Sequence, residues 1–162
     1  QAEGIRSIQV AGIAEPFEVF CDNETRDFPW IVMQRRVNRA VDFNQRFVNY
    51  TYGFGDLEGS YFLGLEKVYR LTSTQPYELY IHLEAFDGST AYARYSDFLL
   101  ANSRDSYRLK QLGRFTGNAF NAMTNLLGAR FSTFDDDNDN VYREHCASKL
   151  GAGWWYTNCS IS

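Results

Sequence analysis

The stretch Tyr77-Glu78-Leu79-Tyr80-Ile81-His82-Leu83-Glu84-Ala85-Phe86, followed by Asp87-Gly88 and then Thr90-Ala91-Tyr92-Ala93-Arg94-Tyr95, decides the fold class. Leu79, Ile81, Leu83 and Ala85 alternate with Tyr80, His82 and Glu84, the two-residue period that puts alternate side chains on opposite faces of a strand. The second run repeats the pattern, with Ala91 and Ala93 opposite Tyr92 and Arg94. Asp-Gly favours a tight reversal, so the two runs predict an antiparallel pair joined at Asp87-Gly88. Upstream, Phe17 to Cys21 alternates in the same way and Trp30 to Val37 reads as a strand, with the turn-forming residues Asp22, Asn23, Thr25, Asp27 and Pro29 between them. This predicts a hairpin with a long loop. Apolar residues recur at three- and four-residue spacing over Phe43 to Tyr50, Leu65 to Thr72 and Asn118 to Leu127, which predicts three short helices and an α+β class.

The 162 residues suit one domain with a single core, and 44% hydrophobic with 22% charged residues is a globular composition. Aromatic residues reach 17%, which favours sheet over helix. A net charge of −4 supplies no basic field for counterion release, so nucleic acid is not an expected partner. No apolar run approaches the ~20 residues of a membrane span. Because the chain starts at Gln1 with no signal-like segment, a processed or excised piece is expected. Asn23, Asn49 and Asn158 each begin an Asn-x-Ser/Thr acceptor motif, consistent with a secreted glycoprotein.

From about Gly113 the periodicity fades and turn chemistry takes over. Asp135-Asp136-Asp137-Asn138-Asp139-Asn140 concentrates hard oxygen donors, with no cation until Arg143. Calcium takes about six to eight such oxygens, and a curved loop can turn alternate carboxylates and carbonyls inward. The alternative is a solvated acidic turn. An EF-hand is excluded, since Asn140 stands at the sharp-turn glycine position and Cys146 at the bidentate Glu position. Cys146 and Cys159 flank a segment rich in Gly and Trp; a disulfide there would contribute roughly 3 kcal/mol through loop closure, the alternative being two buried thiols. With Cys21 the cysteine count is odd, which leaves a free thiol, an intermolecular bridge or a partner elsewhere. His82 on a strand face and His145 beside a cysteine complete no nucleophile and base pair, Gly53 to Gly59 reads as a turn and not a phosphate loop, and Glu78 and Glu84 read as solvated charges. No enzyme is expected.

The order of these signals resembles the fibrinogen-related domain family, which includes fibrinogen chains, ficolins, tachylectins, angiopoietins and tenascins. The resemblance runs through Pro16 to Asp22, Trp30 to Arg36, Val41 to Asn44, Gly53 to Gly59, Tyr61 to Leu65, Ala91 to Tyr95, Phe131 to Asp135, Asp137 to Asn140, Asn158-Cys159 and above all Gly153-Trp154-Trp155-Tyr156. It implies a fibrinogen C-terminal-like α+β fold with a central twisted antiparallel sheet, short helices and a loop-rich C-terminal region carrying calcium and ligand. Residues 1–162 would form one such domain truncated at both ends: an N-terminal part over 1–37, the sheet over 38–112, and the calcium and pocket part over 113–162. The family domain continues past the position of Ser162 with further pocket aromatics and a closing strand.

By the same resemblance, Cys146 pairs with Cys159 and Cys21 pairs upstream of this stretch. Calcium is held by the side chains of Asp137 and Asp139 and by backbone oxygens near Val141 and Arg143. The pocket lies at Leu150, Asn158, Cys159 and Ser160, with a cis peptide at Asn158-Cys159. Lectin members place a His at Ser160 and an aromatic or polar residue at Leu150, and both departures bear on acetyl-sugar binding. The implied function is a secreted, calcium-binding lectin of innate immunity that takes acetylated glycans. The alternative is a signalling or matrix module that binds a protein receptor, the direction in which Leu150 and Ser160 lean. Homo-oligomerisation would run through upstream segments.

Overall fold

The computed structural model describes residues 3–25 and 28–159, and its elements are short antiparallel strands with three small α-helices. Strand β1 (Gly4–Ile8), which the sequence pattern does not announce, pairs with β2 (Phe17–Asp22), and β2 pairs with β3 (Trp30–Ile31) to complete the predicted hairpin. Both faces of β2 are covered: Val19 and Phe20 are buried, the latter beneath the Arg35 guanidinium 3.9 Å from its ring centre. That is why the alternation in this strand is incomplete.

The single strand expected over Trp30 to Val37 is two. β3 belongs to the first sheet, whereas β4 (Gln34–Arg35) joins a second sheet, ordered β4-β6-β5, with β5 (Phe54–Gly55) and β6 (Tyr61–Phe62). The crossing point is fixed by hydrogen bonds: Val32 donates to the Phe20 carbonyl, its own carbonyl accepts the Tyr61 hydroxyl, and Met33 accepts from Leu63. Gly53 to Gly59 forms β5 and the turn into β6. Gly55, at φ 93°, lies where a Cβ would sit 2.4 Å from the Ser60 carbonyl oxygen, so only glycine fits.

The central sheet is ordered β11-β8-β7, from β7 (Leu79–Glu84), β8 (Thr90–Tyr95) and β11 (Phe115–Gly117). Its hairpin closes through three residues, Phe86, Asp87 and Gly88: the Ala85 N–H donates to the Ser89 carbonyl, the Gly88 N–H donates to the Ala85 carbonyl, and Gly88 sits at φ 82°. Leu79 and Ile81 are partly buried, but Leu83 and Ala85 on the same face are exposed: the hairpin projects beyond the core. A two-stranded sheet of β9 (Leu99–Leu100) and β10 (Leu109–Gln111) follows.

Helix α2 (Leu65–Thr74) falls where the periodicity puts it, burying Leu65, Val68 and Leu71. Helix α1 (Phe47–Tyr52) starts four residues later than expected. The Asp42 carboxylate takes the Asn44 N–H, and the Phe43 carbonyl accepts the Tyr50 hydroxyl, so residues 42–44 are held out of the helix. The helix expected over Asn118 to Leu127 is only a 3-10 turn, Thr124–Leu126. There Asn118 accepts the Tyr92 N–H, and Asn121 accepts the Tyr95 hydroxyl and the Thr124 hydroxyl. Side-chain bonds of this kind compete with a helical ladder.

The core is aromatic. Tyr50, Tyr61, Phe62, Tyr95, Tyr107, Phe131 and Trp155 are fully buried, and Tyr50 meets Phe54, Phe62 and Phe131 at ring distances of 4.9 to 5.0 Å. A second, smaller cluster of Cys146, Ala147, Tyr156 and Cys159 lies at the C-terminal end. Among the described residues no helix is long and apolar enough to cross a membrane.

Candidate functional site: the acidic loop and its disulfide

The acidic loop leaves the core at Phe131 and Ser132, where Ser132 and Trp154 exchange backbone hydrogen bonds of 2.9 and 3.1 Å. Trp155, next along, donates its indole N–H to the Tyr107 carbonyl at 2.8 Å. Gly153 completes the anchor. Its N–H donates to the Tyr50 hydroxyl at 3.1 Å, and a Cβ there would meet the Tyr50 and Phe131 rings at 2.7 and 2.8 Å. The Gly-Trp-Trp-Tyr run is therefore a core element on which the loop stands.

Within the loop the aspartates divide their work. Asp135 faces back to the fold: its carboxylate accepts the Phe47 N–H at the start of α1, 88 residues away, and the Thr133 hydroxyl. Burial works to raise its pKa, but these bonds from Thr133 and Phe47 outweigh it and hold the carboxyl below its usual value. Asp139 is buried, 5% exposed, and both carboxylate oxygens accept backbone N–H groups at 2.8 Å, one from Val141 and one from Cys146. Asp137 is exposed and accepts the Asp139 N–H at 3.3 Å. Asn138 donates to the Phe131 carbonyl and to Asp136. Asn140 and Arg143 adopt positive φ, 59° and 65°, which turns the backbone sharply on either side of Val141.

Cys146, at the start of α3 (Cys146–Leu150), is bonded to Cys159. Of the two readings open for these cysteines, the disulfide holds. His145 donates from Nε2 to the Thr133 carbonyl at 2.9 Å and meets the Ser148 hydroxyl at Nδ1, so both ring nitrogens are engaged in holding the loop. Cys21 forms no disulfide within the described residues.

The loop thus brings together Asp139, Cys146 and Cys159, whose ligating atoms lie within 4.8 Å of one another. With the two sulfurs bonded to each other, that trio offers a metal only the carboxylate. The oxygen donors expected for calcium, the carboxylates of Asp137 and Asp139 and the carbonyls of Val141 and Arg143, all belong to this loop, with positive-φ bends at Asn140 and Arg143. Leu150 ends α3 with 47% of its surface exposed, and Asn158 is exposed beside buried Cys159. Ser160 lies outside the described residues. The Asn158-Cys159 peptide is trans, against the cis bond expected there, as no described peptide bond is cis. For a non-proline residue the trans form is favoured by roughly 3 kcal/mol. The sequence pattern gave no role to Tyr142, 82% exposed at the outer bend with the Arg143 guanidinium against its ring, nor to Asp135 as the partner of α1. The signal for Tyr142 was an aromatic residue within an otherwise polar loop.

Over residues 1–162 the chain matches the family described as fibrinogen beta and gamma chains, C-terminal globular domain. It is 41% identical to angiopoietin-4 of Bos taurus, a match covering 99% of this chain and 32% of that protein. Microfibril-associated glycoprotein 4 of Homo sapiens is 37% identical, the match covering all of this chain and 65% of the relative. The chain therefore spans about a third to two thirds of these relatives. The fibrinogen-like globe domain of human ANGPTL2 superimposes with a TM-score of 0.91 at 35% identity, covering 96% of this chain and 71% of that one. The relatives are secreted or extracellular and non-enzymatic. On sequence and on structure alike, the chain belongs to the fibrinogen C-terminal globular domain family.

Proposed function

We propose that this chain is an extracellular recognition module of the signalling or matrix kind, which docks a protein receptor over the disulfide-anchored acidic loop. The observation that carries the reading is the exposure of two large apolar side chains, Tyr142 and Leu150, in a segment held by Asp139 and the Cys146–Cys159 bond. Aromatic and aliphatic side chains presented on a rigid polar frame are the usual anchors of protein interfaces. Similarity to angiopoietin-4 and to tenascin-R supports the same direction.

Calcium belongs to this proposal as a structural cofactor. Asp137 and Asp139 would hold it with the Val141 and Arg143 carbonyls, and its charge would offset the crowding of Asp135, Asp136, Asp137 and Asp139 and so stiffen the frame. Homo-oligomerisation through segments outside this stretch would raise avidity without new contacts.

An acetylated-glycan lectin is the second reading, resting on the exposed Asn158 beside the disulfide. The aliphatic Leu150 gives a sugar no hydrogen-bonding partner, which is why the protein receptor is preferred. Binding of the calcium-loaded chain to cultured vertebrate cells separates the two. Receptor docking is expected to survive excess N-acetylglucosamine and to be lost after protease treatment of the cells or in a Tyr142→Ser, Leu150→Ser double variant. Competition by the sugar with indifference to protease would establish the lectin instead, and absence of cell binding would overturn the receptor reading.

A further inference from the structure

Of the three Asn-x-Ser/Thr motifs, the structure singles out one, and we infer that Asn49 carries an N-linked glycan. Asn49, Tyr50 and Thr51 lie in α1, a helix of six residues. So short a helix does not persist without its tertiary contacts. Before the core closes over Tyr50, the tripeptide is therefore extended and open to a membrane-bound transferase. In the transfer, Asn49 Nδ2 bonds to C1 of the first sugar of a lipid-linked oligosaccharide, one N–H proton is lost, and the lipid diphosphate departs.

After folding the three residues separate cleanly. Tyr50 is buried in the aromatic core, while Asn49 is exposed. Asn49 Nδ2 donates to Gln45 Oε1 at 2.9 Å along the helix surface. A glycosylated amide keeps one N–H, so a donor toward Gln45 remains. Tyr52, three residues on, shares that face and is 69% exposed, placing an uncovered aromatic ring beside the first sugar. An attached sugar therefore projects from the exposed face of α1 and displaces no buried side chain. Asn23 differs: its carbonyl oxygen is buried, and the Thr25 hydroxyl of its motif donates to the Asp22 carboxylate. Ser160, the hydroxyl partner of Asn158, lies outside the described residues.

The inference rests on an extracellular route and not on what the acidic loop binds, so it stands or falls separately from the receptor reading. The test is mass spectrometry of the full-length product secreted by animal cells, deglycosylated with peptide N-glycosidase in heavy-oxygen water. The peptide containing Asn49 is expected to appear as isotopically labelled aspartate. Asn49→Gln should lose the mass of one glycan and Thr51→Ser should keep it. An unlabelled Asn49 peptide in the natural chain overturns the inference without any variant having to fold.

Discussion

The carboxylate of Asp139 accepts the backbone N–H of Cys146 at 2.8 Å, so the most buried acid of the loop is tied to the half-cystine that closes it. Its other oxygen holds Val141. Asp139→Asn leaves one acceptor oxygen for two backbone donors at a buried site. An unpaired buried N–H costs about 1 to 3 kcal/mol, and urea denaturation should show a loss of that size.

Asp137 is exposed and makes one long bond to the fold, so its removal should barely affect stability in the absence of metal. With millimolar calcium the natural chain is expected to melt at a higher temperature, because a ligand that binds only the folded state stabilises it by mass action. Asp137→Ala should abolish that rise, as read by scanning calorimetry with and without chelator. An unchanged calcium response would remove Asp137 from the site.

Cys146→Ser together with Cys159→Ser should cost about 3 kcal/mol, the loop-closure contribution of a bridge of this span. Both cysteines belong to the small cluster with Ala147 and Tyr156, which meets the aromatic core through Trp154. Limited proteolysis is accordingly expected to cut first between Asp139 and Cys159, with the central sheet intact.

Gly153→Ala introduces a methyl between the Tyr50 and Phe131 rings at 2.7 and 2.8 Å. Overpacking of that kind typically costs about 1 to 3 kcal/mol. Tyr50→Phe makes the complementary change: it removes the hydroxyl that accepts from Gly153 and donates to the Phe43 carbonyl, at about 1 kcal/mol for the lost pairing. Both are read from denaturation midpoints.

Asp105 is held down to about 2 chiefly by hydrogen bonds from Arg108, with Arg130 adding to them, against an opposing effect of burial. Its folded pKa lies below its unfolded one, so the group contributes stability that is complete above the unfolded value near pH 4 and is lost as pH falls toward 2. Because the side chain is 37% exposed, solvent screening cuts this to roughly 0.5 kcal/mol. Asp105→Asn should be slightly less stable than the natural chain at pH 7, and the gap should close on acidification.

Local chemistry made several elements readable in advance. Leu65 to Thr72 carries a helical stripe, Leu79 to Tyr95 carries strand alternation around Asp-Gly, and both appear where the pattern put them, because propensity and burial agree there. β1 was not readable, since its interior residues are exposed and its order comes from pairing with β2. The break between β3 and β4 was invisible for a similar reason: it is made by Phe20 and Tyr61, residues distant in sequence.

At the site, the sequence by itself determined the chemistry on offer: a run of oxygen donors, two cysteines, and the small and aromatic residues of Gly153 to Tyr156. Residue type is a local property and needs no fold to be read. Only the tertiary structure decided which acid does what. Asp135 turns inward to α1, Asp139 is buried and anchors two backbone N–H groups, Asp137 is left to solvent, and Tyr142 and Leu150 are left exposed. Those roles depend on partners brought from 88 residues away and on a loop closed by a covalent bond, and spacing along the chain carries no record of either.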